Sequence, residues 1–387
     1  MLFRYNNTAT LTEKIPNRFR DFAMDIAKKF KPEKIFLWQK VVNHPEAERI
    51  IKLFPYAKVH IISKQRQVPL PNMSPGKALL TGRKTLMIGA TTSFVGHFDG
   101  KLGRSVRCRP YYKLVPISNG CPYYCTYCYL AFVYRKYAPF IKININYDAM
   151  FKQIRRVMSN SSGKTSFNMG EMLDSLAFDH ITNLTTMLIP FFSGFSKSFL
   201  MLLTKSNNID NLLAIEPNRQ TVISWSLNSR PMIETYELGT ADLDKRIEAA
   251  RLCQEHGYRV RIRIDPGILY SDWKAGYTDL IQKTFSVIEP ENVTLGMLRL
   301  LHGHFHLAAD AYGDCARKLW NHSFVRGASD GKLRYPPKER VEFYTFLIDV
   351  IRSFDKHVSI SLCRETPEVW SIFKDCCEPR KCNCVIW

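Results

Sequence analysis

From residue 112 onward, strand-like runs alternate with helix-like stretches. The runs are YKLVPI (112–117), KTSFNM (164–169), SFLMLLT (198–204), TVISWSL (221–227), RVRIRI (259–264) and NVTLGML (292–298). Helix-like stretches lie between them at 147–158, 180–190, 241–256 and 274–288. Parallel strands need crossovers of a dozen or more residues, and helices in those crossovers cover the sheet. The pattern therefore predicts an α/β protein with a partial (β/α)6 TIM-type barrel over residues 106–355, with its chemistry at the C-terminal ends of the strands. Ahead of it, a helix over 16–31, a strand at 34–39, a helix at 45–54 and strands at 58–63 and 84–89 predict a small N-terminal α/β domain over 1–105. A proline-rich linker is expected at 67–76. Residues 356–387 read as a cysteine-rich C-terminal tail.

Side chains alternate faces along a strand. In RVRIRI, Val260, Ile262 and Ile264 suit the outer helices, so Arg259, Arg261 and Arg263 are expected to line the lumen or its mouth. Ser224, Ser226 and Asn228 share one face of the preceding run. A polar, positively charged interior follows, since a buried arginine needs an anionic partner or water. The alternative is an edge strand with its arginines in solvent.

Hydrophobic residues make up 45% of the 387, enough for a sizeable core. No apolar run approaches the ~18–20 residues that span a bilayer. MLFRYNNTATLTEK lacks an apolar leader core. The expectation is a soluble, cytoplasmic protein with no membrane partner. Its formal charge of +20 points to an acidic partner such as nucleic acid, against the alternative of a solvated basic surface. Eleven cysteines without an export signal do not read as disulfides. Cys108, Cys253 and Cys315 are scattered and read as small buried hydrophobes.

Three cysteines fall within SNGCPYYCTYCYL (118–130), at Cys121, Cys125 and Cys128. Gly120 and Pro122 favour a loop, on which thiols at i, i+4 and i+7 can converge. Soft thiolates select zinc, Cu(I) or iron–sulfur clusters. Structural zinc wants four ligands, and no fourth lies nearby. A cubane held by three thiolates leaves one iron open for a small molecule. The C-x3-C-x2-C spacing just after the first barrel strand resembles the radical S-adenosylmethionine enzymes. That resemblance implies a 4Fe–4S cluster on Cys121, Cys125 and Cys128, S-adenosyl-L-methionine on the open iron, and release of a 5′-deoxyadenosyl radical. It also implies a flavodoxin- or ferredoxin-type reductant, and it places Tyr127 near the adenine.

The chain further resembles the spore photoproduct lyase family across roughly residues 30–300. GCPYYCTYCYL, PFIKININ, LAFDHIT (176–182), LLTKSNNIDNLL (202–213), SWSLNSRPMIETYELGT (224–240) and GYRVRIRIDPGILYSDWKAGY (257–277) carry the likeness. The family repairs a methylene-bridged thymine dimer in DNA. The resemblance implies that Lys205 and Ser226 hold S-adenosylmethionine and that Tyr129 lies on the path returning the radical. Asn228, Arg261 and Arg263 are expected on the substrate side. The repair enzymes place a hydrogen-donating cysteine just past the second strand, where this chain has Glu171. Gly170–Glu171 instead resembles the Gly-Glu strand end that contacts the methionine ammonium in other radical enzymes. The alternative for Glu171, as for Asp174 and Asp179, is an acid at a helix N-terminus. Two enzymatic readings follow: lesion repair or base modification in nucleic acid, and rearrangement of a small molecule or amino-acid-like group. A third is a non-catalytic, metal-containing nucleic-acid-binding protein.

Five more cysteines lie toward the end of the sequence. Cys363, Cys377, Cys382 and Cys384 are expected to close a second site, for zinc or a fully ligated iron–sulfur cluster, with Cys376 spare. Free thiols on a solvated tail are the alternative.

Overall fold

The computed structural model describes residues 30–69, 72–102, 106–134, 139–327, 330–377 and 382–386. The helix expected over 16–31 falls, but for its last two residues, outside them. Strand β1 (Lys34–Trp38) is followed by a helix (Pro45–Lys52) and by β2 (Lys58–Ile62), parallel to β1. That helix starts cleanly because the ring of His44 accepts from the Glu46 amide, and Pro45 occupies a first-turn position that needs no N–H. β3 (Thr85–Gly89) lies on the other side of β1. The stretch expected as a linker, 67–76, runs directly into a helix (Pro75–Gly82).

β4 (Val95–Phe98) and β5 (Tyr111–Leu114) then pair antiparallel. β6 (Ile117–Ser118) and β7 (Ile141–Asn144) return to the first sheet, whose order is β2-β1-β3-β7-β6. Two strands of the small α/β unit thus come from beyond residue 105, and the two sheets are interleaved in the chain. The interleaving holds the cysteine loop, which leaves β6, against the N-terminal unit.

The larger sheet adds β8 (Thr165–Asn168), β9 (Ser198–Thr204), β10 (Thr221–Ser226), β11 (Arg259–Gly267), β12 (Asn292–Met297) and β13 (Ser359–Leu362). Its order is β13-β12-β11-β10-β9-β8-β5-β4, parallel throughout except at β4. Helices Tyr147–Ser159, Leu184–Ser193, Leu243–Glu255, Trp273–Phe285 and Pro337–Phe354 fill the crossovers. Each of the six expected runs supplies a strand. β13 is a seventh parallel strand, taken from the stretch expected as a tail. Among the described residues no pairing joins β13 to β4, so the barrel is open along that seam.

The faces follow the alternation in the sequence. Val260, Ile262 and Ile264 are buried in the main core with Leu200, Leu202, Ile223 and Trp225. Arg261 and Arg263 face the lumen, as expected. The lumen is not wet throughout, however. Residues 382–386 thread into its N-terminal half, where Ile386 packs on Met201 and Val222. Arg261 donates to the Val385 and Ile386 carbonyls at 2.8 and 3.0 Å. Asn383 donates to Ser224 Oγ at 2.7 Å, and its amide to Thr294 Oγ1 at 3.1 Å. The stretch expected as a cysteine-rich tail therefore supplies a strand, a short helix (Pro367–Ile372) and part of the barrel filling. Among the described residues no helix is long and apolar enough to cross a membrane.

Candidate active site

At the C-terminal ends of the strands lies a pocket of about 270 Å³. Cys121, Cys125 and Cys128 form one side of it, and Gly170, Lys205, Ser226 and Arg263 reach it from β8, β9, β10 and β11. The cysteine loop is pinned by a short antiparallel pairing of Tyr124 and Cys125 with Leu238 and Glu237. A helix (Tyr129–Tyr134) leaves its far end, and the Ala131 amide lies 3.5 Å from Cys128 Sγ.

Glu237 is the buried hub beside this loop. Its Oε1 accepts from Lys205 Nζ at 2.5 Å and from the Tyr127 hydroxyl, and its Oε2 lies 2.7 Å from Arg246. Burial alone would raise its pKa, but Lys205 and Arg246 outweigh that and hold it down at about 2. Lys205 also donates to the Tyr127 hydroxyl at 3.0 Å. Behind the loop, buried Arg83 from the N-terminal unit donates to the Cys121 carbonyl and stacks on Tyr124, 4.9 Å from the ring centre.

The far wall is ionic. Burial works against ionisation of Glu171, yet Arg364 at 3.3 Å and Arg263 at 3.5 Å hold its pKa below the usual range. Asp265 behaves likewise: it bridges Arg263 at 2.7 Å and Arg299 at 2.8 Å, and they keep it ionised against its burial. Lys332 faces the same pocket, and desolvation together with Arg364 and Arg299 depresses its pKa to about 8. Gly170 is required where it stands, because a Cβ there would lie 2.2 Å from that of Leu203 on β9. Asp174 is no simple helix-end acid. Its carboxylate accepts from Thr204 Oγ1 and the Lys205 amide, both at 2.7 Å, tying the loop after β8 to the end of β9.

The donor set suits a cluster bound by three thiolates. Three cysteines face one pocket, with Arg83 behind them to offset negative charge. Burial pushes the Cys121 thiol up to about 12, Arg83 opposes that, and a bound metal would displace the proton. Among the described residues no set of three or more ligating side chains is drawn in around one point, so the three motif cysteines would close up on binding a cluster.

A family model described as spore photoproduct lyase matches residues 30–319. The chain belongs to the spore photoproduct lyase family. Membership makes it a radical S-adenosylmethionine enzyme and sets the non-catalytic reading aside. It is 25% identical over 266 residues to the spore photoproduct lyase of Geobacillus sp., covering 68% of this chain and 75% of that protein. It is 26% identical to that of Bacillus subtilis, over 68% and 75%. Among solved structures, a spore photoproduct lyase complexed with dinucleoside spore photoproduct has a TM-score of 0.75 at 22% identity, covering 86% of this chain and 99% of that one. A variant lyase with bound AdoMet and dinucleoside spore photoproduct has a TM-score of 0.73 at 23% identity, over 86% and 98%.

For this family member, the structure brings Cys121, Cys125, Cys128, Tyr127, Tyr129, Gly170, Glu171, Lys205, Ser226 and Arg263 to one pocket. It leaves two expected residues out. Arg261 is spent on the backbone of residues 385 and 386 and on Glu291. Asn228 is buried one layer back, donating to the Pro266 carbonyl and accepting from Tyr277. Arg261 lies on the expected strand but too deep along β11, and Asn228 lies just past the end of β10. The expected four-cysteine set also fails as drawn. Cys377 packs in the main core, whereas Cys363, Cys382 and Cys384 line another cavity with Cys108. Glu237, Asp265, Arg299, Arg364, Lys332 and Arg83 were missed. Glu237 and Asp265 sit inside the quoted family segments. The others had no local signal.

Proposed function

We propose that this enzyme abstracts hydrogen from a thymine lesion or thymine base in DNA. The observation that carries the reading is that the motif cysteines share one pocket with five cations, Lys205, Arg263, Arg299, Lys332 and Arg364. Three carboxylates line the same pocket, Glu171, Asp174 and Asp265, fewer than the cations, which suits a substrate with phosphates. The similar lyase of known structure is complexed with dinucleoside spore photoproduct.

Cys121, Cys125 and Cys128 are the residues to hold a 4Fe–4S cluster, and Tyr127, Gly170, Glu171, Lys205 and Ser226 surround the place for S-adenosyl-L-methionine. When bound and reduced by a flavodoxin- or ferredoxin-type partner, this pair supplies a 5′-deoxyadenosyl radical. The chain's own residues orient and exclude water. Glu237 fixes Lys205 and Tyr127 against the cluster loop. Arg263 and Arg299, held by Asp265, present their cationic edges to the substrate. Glu171 keeps Arg263 and Arg364 at the pocket wall, and any contact it makes with the methionine ammonium is shared with them. Tyr129, half exposed at the mouth, is the residue assigned to radical return.

One observation favours a second reading. An ionised Glu171 cannot deliver a hydrogen atom to a carbon radical. An isomerase or mutase acting on a small molecule or amino-acid-like group, in which 5′-deoxyadenosine returns the hydrogen, needs no such donor. The test is 5′-deoxyadenosine release by anaerobically reconstituted enzyme without nucleic acid, with plain DNA and with UV-treated DNA. Stimulation by UV-treated DNA is expected. Turnover unchanged by either DNA would overturn the nucleic-acid reading in favour of the second.

A further inference from the structure

We propose that Cys108, Cys363, Cys382 and Cys384 form a structural zinc site that closes the open seam of the barrel. The four thiols line a cavity of about 30 Å³ that is separate from the radical pocket. They arrive from three pieces of chain that, among the described residues, no direct strand pairing joins. Cys108 precedes β5 on one side of the seam, Cys363 follows β13 on the other, and Cys382 and Cys384 lie on the segment threaded into the lumen.

The chemistry narrows the ligand. Thiols are soft donors, and four of them fill a tetrahedral zinc shell with no position left for substrate. Four thiolates fill the shell of a single ion, whereas a cubane would have to be seated in a cavity of only about 30 Å³. Zinc uptake releases one proton from each thiol, leaving the zinc tetrathiolate with two negative charges. Cations stand ready for them. Arg263 Nη2 lies 3.2 Å from Cys363 Sγ and Arg299 Nη2 lies 3.9 Å from it. These arginines also line the radical pocket, and Cys384 Sγ donates to Glu171 at 3.4 Å. The site would therefore anchor the wall behind the active site while taking no part in the radical step.

The test uses full-length protein in which Cys121→Ala, Cys125→Ala and Cys128→Ala remove the cluster thiols, incubated with zinc, desalted and assayed for metal and sulfide. About one tightly held zinc per chain is expected, the stoichiometry of a single closed site. Cobalt substitution should give the thiolate charge-transfer absorption of a tetrahedral sulfur site. Adding Cys382→Ser with Cys384→Ser should remove the zinc, while Cys377→Ser should not. Cys382→His, which keeps a zinc ligand, should retain it and covers the case in which the serine variant misfolds. Absence of zinc, zinc undiminished by the paired serine change in folded protein, or iron with sulfide in its place would each overturn the proposal. None of these outcomes bears on the radical reading, which is scored on 5′-deoxyadenosine release.

Discussion

The two cysteine groups of this protein are built on opposite plans. Cys121, Cys125 and Cys128 lie on one short loop, so their convergence needs little beyond a turn at Gly120 and Pro122. Cys108, Cys363, Cys382 and Cys384 span 277 positions of the sequence, and meet because β5 and β13 lie near opposite sides of one seam. A local site can be recognised from spacing. A site assembled by the fold cannot, because chain separation carries no information about which of many cysteines will meet. The expected set accordingly included Cys377, a sequence neighbour, and omitted Cys108, a spatial one.

The largest effect should separate the groups outright. Cys121→Ala, Cys125→Ala or Cys128→Ala should abolish 5′-deoxyadenosine release with little change in melting temperature. Cys382→Ser with Cys384→Ser should lower the melting temperature while cleavage stays measurable. Equal loss of both properties in both sets, by activity assay and calorimetry, would erase the distinction.

Next in size is Glu237→Gln, which leaves Lys205 and Arg246 without their shared buried anion. A loss of about 3–5 kcal/mol is expected by denaturant titration. The pH dependence follows from the sign of the shift. The carboxylate is held at about 2 in the folded protein, against an ordinary value of 4.5, so its contribution is full above 4.5 and is lost as pH falls toward 2. The variant should show a flatter acid limb.

Glu171 stands between the two regions, paired with Arg263 and Arg364 and touched by Cys384. Glu171→Gln should cost less than the Glu237 change, about 2–3 kcal/mol, because Arg263 keeps Asp265 as a second partner and Arg364 is partly exposed. It should impair turnover as well as stability. An effect on stability alone would assign Glu171 to the wall and not to the cofactor.

The smallest effect concerns Lys332. With its pKa depressed to about 8, the ammonium loses its charge as pH rises through that value, whereas the arginines keep theirs. The apparent Kd for DNA should weaken roughly fivefold between pH 7 and 9, the worth of about 1 kcal/mol for one partly exposed charge. Lys332→Ala should remove that dependence.

What the sequence determined by itself was whatever depends on neighbours along the chain. The alternation of runs set the parallel sheet and its crossovers. The period-two pattern of RVRIRI sent Arg261 and Arg263 inward, and the C-x3-C-x2-C loop marked the radical centre. Depth along a strand was not legible, so Arg261 was expected among the substrate contacts when it holds the backbone of residues 385 and 386. Tertiary structure alone decided the partners of buried charges. Glu237, Asp265, Arg299 and Arg364 look like ordinary polar residues in sequence, and each is drawn wholly or partly out of water where an opposite charge from a distant element meets it. The same holds for residues 382–386. Their backbone can lie inside the barrel because Arg261, Ser166 and Thr294 supply hydrogen bonds that no local pattern announces, and Ser224 accepts from the Asn383 side chain.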